Sequence, residues 1–215
     1  MLISSILISV MESSGFFQEV LNYATGIKIL EFTGLIFGLL CVWFLIRQNI
    51  LTWPAGILYV LISFVIFLRA KLYADFILHV FFLVLNIYGW YYWKNPGNES
   101  DQVEVTTSSP RLLGLLLLLS TITIYVSGRL LVAYTDASLP YWDSTTSILS
   151  IVAMWLTAKK KIENWIFWLA VDVLATGIYY YKGIYFYCIL YLVYIGMAVV
   201  GYLAWHKSMN LSIER

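Results

Sequence analysis

Long apolar blocks separated by short polar turns run through the 215-residue chain. Each block is long enough to cross a bilayer as a helix, since roughly 20 mostly apolar residues span the hydrocarbon. Hydropathy along the chain predicts seven such helices, at residues 28–47, 52–69, 72–93, 111–133, 142–158, 163–181 and 184–206. The pattern therefore predicts an all-α polytopic membrane protein with seven transmembrane helices.

The stretch NPGNESDQVEVTTSSP, residues 95–110, interrupts the apolar blocks and is rich in polar and turn-forming residue types. The short turns on either side of it group the helices into two compact trios joined by one connector, a 3+1+3 arrangement. The predicted segments are an N-terminal interfacial or disordered segment (1–27), a first three-helix bundle (28–94), a cytoplasmic linker (95–110), a connector helix (111–133), a second three-helix bundle (142–207) and a C-terminal tail (208–215). The connector sequence RLLGLLLLLS has no polar stripe, which suits a helix that faces lipid or another subunit.

An internal repeat relates the two trios. Shifting the chain by 112 residues places Trp53 on Trp165, Gly89 on Gly201 and, near the end of each trio, Trp93 on Trp205. The single connector crossing returns the second trio to the orientation of the first, so we expect two parallel repeats. Transporters built in this way bind their substrate between the halves.

Polar residues of the third helix share one face. Asp75, His79, Phe82, Asn86 and Trp93 follow helical spacing, and a helix in lipid turns such groups inward because exposing them to hydrocarbon is costly. The repeat places a tyrosine wall opposite this stripe, at Tyr187, Tyr191 and Tyr194. On the second helix of the second trio, a further stripe contains Trp165, Trp168, Asp172, Thr176 and Tyr179. The predicted site between the halves is therefore asymmetric and suits a ligand with a flat ring and a hydroxylated end.

Asp172 is the most informative single residue, because an aspartate at the centre of a membrane helix costs about 2.5–3.5 kcal/mol on insertion scales. Either a partner in another helix, such as a tyrosine hydroxyl, compensates this cost, or the carboxylate binds substrate. His79 is expected to form a hydrogen bond rather than relay protons, and Asn86 either binds a substrate amide or bridges helices. Trp168 and Phe82 could stack on an aromatic cation.

Basic residues set the predicted orientation. With the C-terminus inside, eight lysines and arginines fall on the cytoplasmic side and five on the other. We therefore expect the N-terminus outside and the C-terminus in the cytoplasm. Five tryptophans then lie near the cytoplasmic interface, as gate residues or as an aromatic belt: Trp53, Trp90, Trp93, Trp165 and Trp205.

Composition narrows the classes of function. The chain is 61% hydrophobic and 12% charged, its mean hydropathy is +0.83 and its net charge is only +1, so we expect membrane lipid and no nucleic acid as a partner. Cys41 and Cys188 lie inside apolar blocks without metal-ligand spacing, which predicts reduced packing residues. The chain contains no nucleotide-binding loop, HExxH or GxSxG motif, so the sequence predicts no catalytic residues, no metal and no cofactor.

Several motifs together resemble the PnuC-type vitamin transporters: TWPAG at 52–56, YAD at 73–75, NIYGWYYW at 86–93, ENWIFWLAVD at 163–172 and YYYKGIY at 179–185. The resemblance covers residues 28–207 and implies a fold related to the SWEET sugar transporters, a homotrimer, and uptake by facilitated diffusion. It also implies that a separate cytoplasmic kinase phosphorylates the vitamin and so retains it. His79 stands where the family commonly has a glutamine that faces the substrate, which leaves the identity of the vitamin open.

Three hypotheses follow. The first is a vitamin uniporter for nicotinamide riboside, with thiamine or riboflavin as alternatives. The second is a membrane-embedded enzyme that uses Asp172 and His79, which requires these side chains to approach within hydrogen-bond reach. The third is a structural subunit in which the polar stripes are packed shut.

Overall fold

The computed structural model of the chain describes residue 18, residues 29–96 and residues 102–213. The predicted N-terminal segment therefore lies outside the described residues except for Gln18. Seven helices follow one another: α1 (Ile29–Ile46), α2 (Thr52–Ala70), α3 (Tyr73–Lys94), α4 (Pro110–Tyr134), α5 (Pro140–Ala158), α6 (Asn164–Tyr181) and α7 (Tyr185–Ile213). The helices predicted from the apolar blocks are confirmed.

Local chemistry sets the helix ends. The Ser109 side chain accepts a hydrogen bond from the Leu112 amide and Pro110 takes the first position of α4, a common start for a helix. The last helix runs to Ile213, seven residues beyond its predicted end at 206. The reason is that hydropathy locates the edge of the membrane, whereas residues 207–213 contain no glycine or proline that would end a helix.

Six of the helices form a closed ring. Within each trio α1 packs on α2 and α2 on α3, and likewise α5 on α6 and α6 on α7. The trios meet at two seams, one where α3 packs on α5 and one where α7 packs on α1. Among the described residues the backbones of α2 and α6 do not approach each other closely, so these middle helices lie on opposite sides of the ring.

The connector α4 lies outside the ring and packs chiefly on α5, with Leu113 and Leu116 against a cluster that also contains Phe167 of α6. Its only buried residues are Ser120 and Gly128, and its leucines and isoleucines are largely exposed. This agrees with the expectation that the connector faces lipid or another subunit.

The internal repeat is visible in the backbone. Gln48 and Lys160, which are 112 residues apart, both adopt positive φ, at 53° and 54°, in the turn before the second helix of each trio. Gly89 lies against the indole ring of Trp53, and the equivalent Gly201 lies against that of Trp165. The two halves therefore share one backbone plan.

Five of the seven helices are long and apolar enough to cross a membrane by themselves. The other two, α5 and α6, are of similar length, 19 and 18 residues, and belong to the same ring. They fall short in hydropathy because they carry polar residues that the ring buries, among them Ser144, Ser150 and Asp172.

Candidate substrate site

The polar stripe of α3 faces inward as predicted. His79, Asn86 and Trp93 are buried and Phe82 is half-buried, whereas Asp75 in the first turn is exposed. The stripe therefore runs from an open end at Asp75 to a closed end at Trp93.

His79 lies in an aromatic box. Its ring centroid is 4.7 Å from that of Phe67, 5.2 Å from Phe82 and 5.7 Å from Tyr59. Its Nδ1 atom is 2.9 Å from the carbonyl oxygen of Asp75, one helical turn away. Because a carbonyl oxygen only accepts, Nδ1 carries the proton, and the buried Nε2 atom has no hydrogen-bond partner among the described residues.

Asn86 is held between α2 and α3. Its amide nitrogen donates to the Phe82 carbonyl at 2.8 Å, while its Oδ1 atom is buried without a partner in the described part of the chain. That oxygen lies against Gly56, in the space that any larger side chain on α2 would fill. Asn86 therefore contributes to helix packing and also keeps one acceptor unused.

Asp172 is 6% exposed. No hydrogen bond or ion pair to its carboxylate is formed by any described residue, so the tyrosine partner considered from the sequence is not in place. Tyr191 and Tyr194 nevertheless lie close enough to interact with it electrostatically. Thr176, one turn along α6, uses its hydroxyl to donate to the Asp172 backbone carbonyl at 2.7 Å.

Two aromatic residues meet across the ring close to Asp172 along α6. The Phe82 and Trp168 rings are 6.5 Å apart in an edge-to-face arrangement, which joins the stripe of α3 to that of α6. The Trp168 indole nitrogen donates to the Thr157 hydroxyl on α5 at 3.2 Å, and this hydroxyl in turn donates to the Ala153 carbonyl at 2.9 Å. The hydrogen bond to α5 therefore fixes the orientation of the Trp168 indole ring.

The tyrosine wall is ordered by stacking. Tyr179 of α6 stacks on Tyr187 at 5.2 Å and on Tyr191 at 5.4 Å, with interplanar angles of 25° and 16°. Tyr194 packs edge-on against Tyr191 at 5.9 Å and points its hydroxyl toward Gly38 of α1. The wall thus spans the helices α6, α7 and α1.

One end of the ring is closed by Trp53, Trp93, Trp165 and Trp205, which we call the tryptophan cluster. Their rings form a chain with centroid distances of 5.2, 6.2 and 5.5 Å. Trp93 donates through its indole nitrogen to the Ala158 carbonyl at 3.1 Å, and Trp205 donates to the Leu45 carbonyl at 3.0 Å. All four are buried, which excludes an aromatic belt for them, whereas Trp90 is 39% exposed and fits a belt.

The opposite end of the ring carries charge. Lys182, in the turn between α6 and α7, forms an ion pair with Asp143 of α5 at 3.6 Å. Asp75 lies close enough to both residues to interact with them electrostatically. Charged side chains of both signs therefore lie at the end away from the tryptophan cluster, which is the candidate entrance of the ring.

Sequence reasoning missed two residues of this arrangement. Tyr59 packs on His79, and Thr157 holds Trp168. Tyr59 follows Gly56 by three residues and precedes Ser63 by four, so a second stripe on α2 could have revealed it. Thr157 gave no signal, because a threonine in an apolar helix usually bonds only to its own backbone.

Membrane transporters built from repeats bind their substrate between the repeats. Here two three-helix repeats surround aromatic walls and a carboxylate that has no partner among the described residues, which is the plan of such a transporter. A family model described as the nicotinamide mononucleotide transporter matches residues 28–207. The chain belongs to this family.

Individual relatives are similar over most of their length. The nicotinamide riboside transporter PnuC of Escherichia coli is 29% identical over 204 residues, which cover 83% of this chain and 85% of the relative. The riboflavin/roseoflavin transporter RibM of Streptomyces davaonensis is 25% identical over 178 residues, with 81% and 83% covered. A crystal structure of the vitamin B3 transporter PnuC has the same fold, with a TM-score of 0.72, 20% identity, and 94% and 91% of the two chains covered.

Proposed function

We propose that this chain takes up nicotinamide riboside by facilitated diffusion across a bacterial inner membrane. The observation that carries the proposal is the buried Asp172 carboxylate without a partner among the described residues. An uncompensated buried carboxylate is costly, and a cationic ring such as the pyridinium of nicotinamide riboside would relieve that cost. The names of the PnuC relatives support the same substrate.

Each predicted site residue has a place in this proposal. Trp168 and Phe82 stack on the cationic ring, a contact worth about 2 kcal/mol when desolvated. The unused acceptors of His79 and Asn86 bind the carboxamide, and the tyrosine wall with Thr176 contacts the ribose. Asp75 attracts the cation at the entrance, and Trp53, Trp93 and Trp165 form the gate at the other end, with Trp90 in the aromatic belt.

The proposal also covers the orientation of the chain, the retention of the vitamin and the assembly of subunits. The entrance faces outward, the tryptophan cluster faces the cytoplasm, and a cytoplasmic kinase traps the vitamin by phosphorylation. The exposed apolar face of α4 contacts the neighbouring subunits of a homotrimer. An enzymatic role has less support, because His79 bonds to its own helix and not to Asp172 within the described structure.

Riboflavin is a second candidate, supported by the similarity to RibM. Its isoalloxazine ring is neutral, so Asp172 would contribute little to its binding. Thiamine, like nicotinamide riboside, is a cationic heteroaromatic and would depend on Asp172. The charge of the ligand therefore separates riboflavin from the two cationic candidates, and direct comparison of binding separates nicotinamide riboside from thiamine.

The test is titration calorimetry of the purified protein in detergent with the three vitamins. We expect nicotinamide riboside to bind, and Asp172→Asn to weaken binding by about 10- to 100-fold. Unit charges about 4 Å apart attract by about 4 kcal/mol at the effective dielectric near a protein surface, and desolvation offsets part of that attraction. The matched control is Asp136→Asn, which changes an exposed aspartate between α4 and α5. Binding of riboflavin alone, or unchanged affinity in Asp172→Asn, would contradict the proposal.

A further inference from the structure

Residues 102–109 belong to the segment predicted as a cytoplasmic linker, and the structure attaches them to the second half of the ring. They run beside the turn between α5 and α6, and we call residues 102–109 the strap. The Thr106 amide donates to the Lys160 carbonyl at 3.2 Å and the Ile162 amide donates to the Thr106 carbonyl at 3.0 Å, which forms a parallel β-bridge. The strap is therefore joined to this turn through its backbone.

Side chains strengthen the attachment. Both carboxylate oxygens of Glu163 accept hydrogen bonds from Ser108, one from its amide at 2.8 Å and one from its hydroxyl at 3.0 Å. Lys161 donates to the Thr106 hydroxyl at 2.9 Å and to the Thr107 carbonyl at 3.0 Å. Val105 is 4% exposed and packs in the same core as the tryptophan cluster.

Lys160 links the strap to the α3–α5 seam. Its ammonium nitrogen donates to the Val103 carbonyl at 2.6 Å and lies 4.7 Å from the centre of the Trp93 ring. Trp93 is also bonded to Ala158 of α5. Lys159 adds a cation–π contact to Tyr92 of α3 at 4.4 Å. The first half is thus bound to the second at this seam by several polar contacts.

The repeat provides an internal comparison at the other seam. The α1–α2 turn has the same backbone as the α5–α6 turn: Gln48 and Asn49 donate to the residues three and five positions earlier, as do Lys160 and Lys161. Among the described residues, however, nothing outside this hairpin hydrogen-bonds to residues 47–51. The α1–α7 seam is joined near this end by the Trp205–Leu45 bond.

We propose that the strap makes the two seams unequal, so that the end of the ring at the tryptophan cluster opens between α1 and α7 while the α3–α5 seam stays closed. On opening, Trp205 releases the Leu45 carbonyl, and Trp53 moves with the α1–α2 hairpin away from Trp93. Trp93 of α3 keeps its hydrogen bond to Ala158 of α5, and Trp165 stays in place on α6. Ser108 and Glu163 act as positioning residues, because they hold the turn that precedes Trp165.

Hydrogen exchange measured by mass spectrometry on the ligand-free protein tests the inequality without any substrate. We expect peptides that cover 47–51 to exchange at least about tenfold faster than those that cover 159–163, because local opening sets exchange rates. Glu163→Ala should remove most of this difference, whereas Thr107→Ala, which changes an exposed strap side chain and keeps every bond described above, should preserve it. Equal rates in the unaltered protein, or a difference that persists in Glu163→Ala, would overturn the proposal.

Cross-linking tests which seam has to open during transport. This second experiment rests on the proposed function, because its readout is vitamin uptake. In a background with Cys41→Ala and Cys188→Ala, Tyr92→Cys with Lys159→Cys spans the α3–α5 seam. The repeat-equivalent pair, Ala204→Cys with Arg47→Cys, spans the α1–α7 seam.

A short bis-thiosulfonate reagent should leave vitamin uptake largely intact in the first pair. It should reduce uptake at least about tenfold in the second, reversibly on reduction, since closing a gate blocks turnover. Block of the first pair but not the second, or equal block of both, would overturn the proposal. Absence of uptake before cross-linking would instead count against the proposed function and leave the exchange result to decide the inequality.

Discussion

The contact between Gly201 and Trp165 allows a sharp test of how the tryptophan cluster is packed. A Cβ atom added to Gly201 would lie 2.6 Å from Cζ3 of the Trp165 indole and closer still to two other ring atoms. Carbon atoms pack at about 3.5–4.0 Å, so the ring would have to move by about 1 Å. Trp165 is 2% exposed and packs edge-on against Trp205 at 5.5 Å, which leaves it little room to move.

The same substitution at Gly196 provides a control on the same helix. A Cβ atom there would meet nothing within 4 Å. Both changes gain the same helix propensity of alanine, so the difference between the two variants isolates the clash. Overpacking in a filled core costs about 1–3 kcal/mol, and we expect Gly201→Ala to be less stable than Gly196→Ala by that amount.

The measurement is equilibrium unfolding in mixed micelles with increasing SDS. Trp165→Phe combined with Gly201→Ala should recover part of the loss, because a phenyl ring lacks the outer part of the indole. Equal stability of Gly201→Ala and Gly196→Ala would refute the close packing of helix α7 on the tryptophan cluster.

Two further predictions concern single polar contacts. Thr157→Val removes the acceptor of the Trp168 indole and should weaken vitamin binding by about 2- to 10-fold in calorimetry, since a net hydrogen bond is worth about 0.5–1.5 kcal/mol. Thr146→Val, which removes only the two hydrogen bonds of a hydroxyl to its own helix, should leave the affinity unchanged. Burial lowers the pKa of Lys160 to about 8 despite the nearby Glu104. Between pH of about 8 and the ordinary pKa of 10.5, the unfolded chain therefore binds more protons than the folded chain. Thermal unfolding should therefore show stability rising with pH above about 8 in the unaltered protein, and a clearly smaller rise in Lys160→Met; the same rise in both proteins would contradict this role of Lys160.

Hydropathy and spacing predicted the seven helices and the inward stripes because both depend on local patterns. The depth and burial of the tryptophans were harder to predict, since an indole suits both a membrane interface and a packed core. Trp93 and Trp205 are buried because each donates to a backbone carbonyl across a seam, a contact that only the assembled ring creates. The strap was read as a polar linker for the same reason, because its bonds depend on a turn more than fifty residues away in the chain.

The repeat also explains how a symmetric backbone holds an asymmetric site. In the first half Gly56 leaves room for the Asn86 amide, and 112 residues later Trp168 and Ala198 occupy the equivalent positions. The first half thus has a glycine on its second helix and an amide side chain on its third helix. The second half has an indole ring on its second helix and only a methyl group on its third. A large side chain at both positions of one half would overlap, so an amide and an indole on the same pair of helices exclude each other. The pairing places the amide on α3 and the indole on α6, on separate halves of the ring, which is the arrangement that the proposed vitamin site requires.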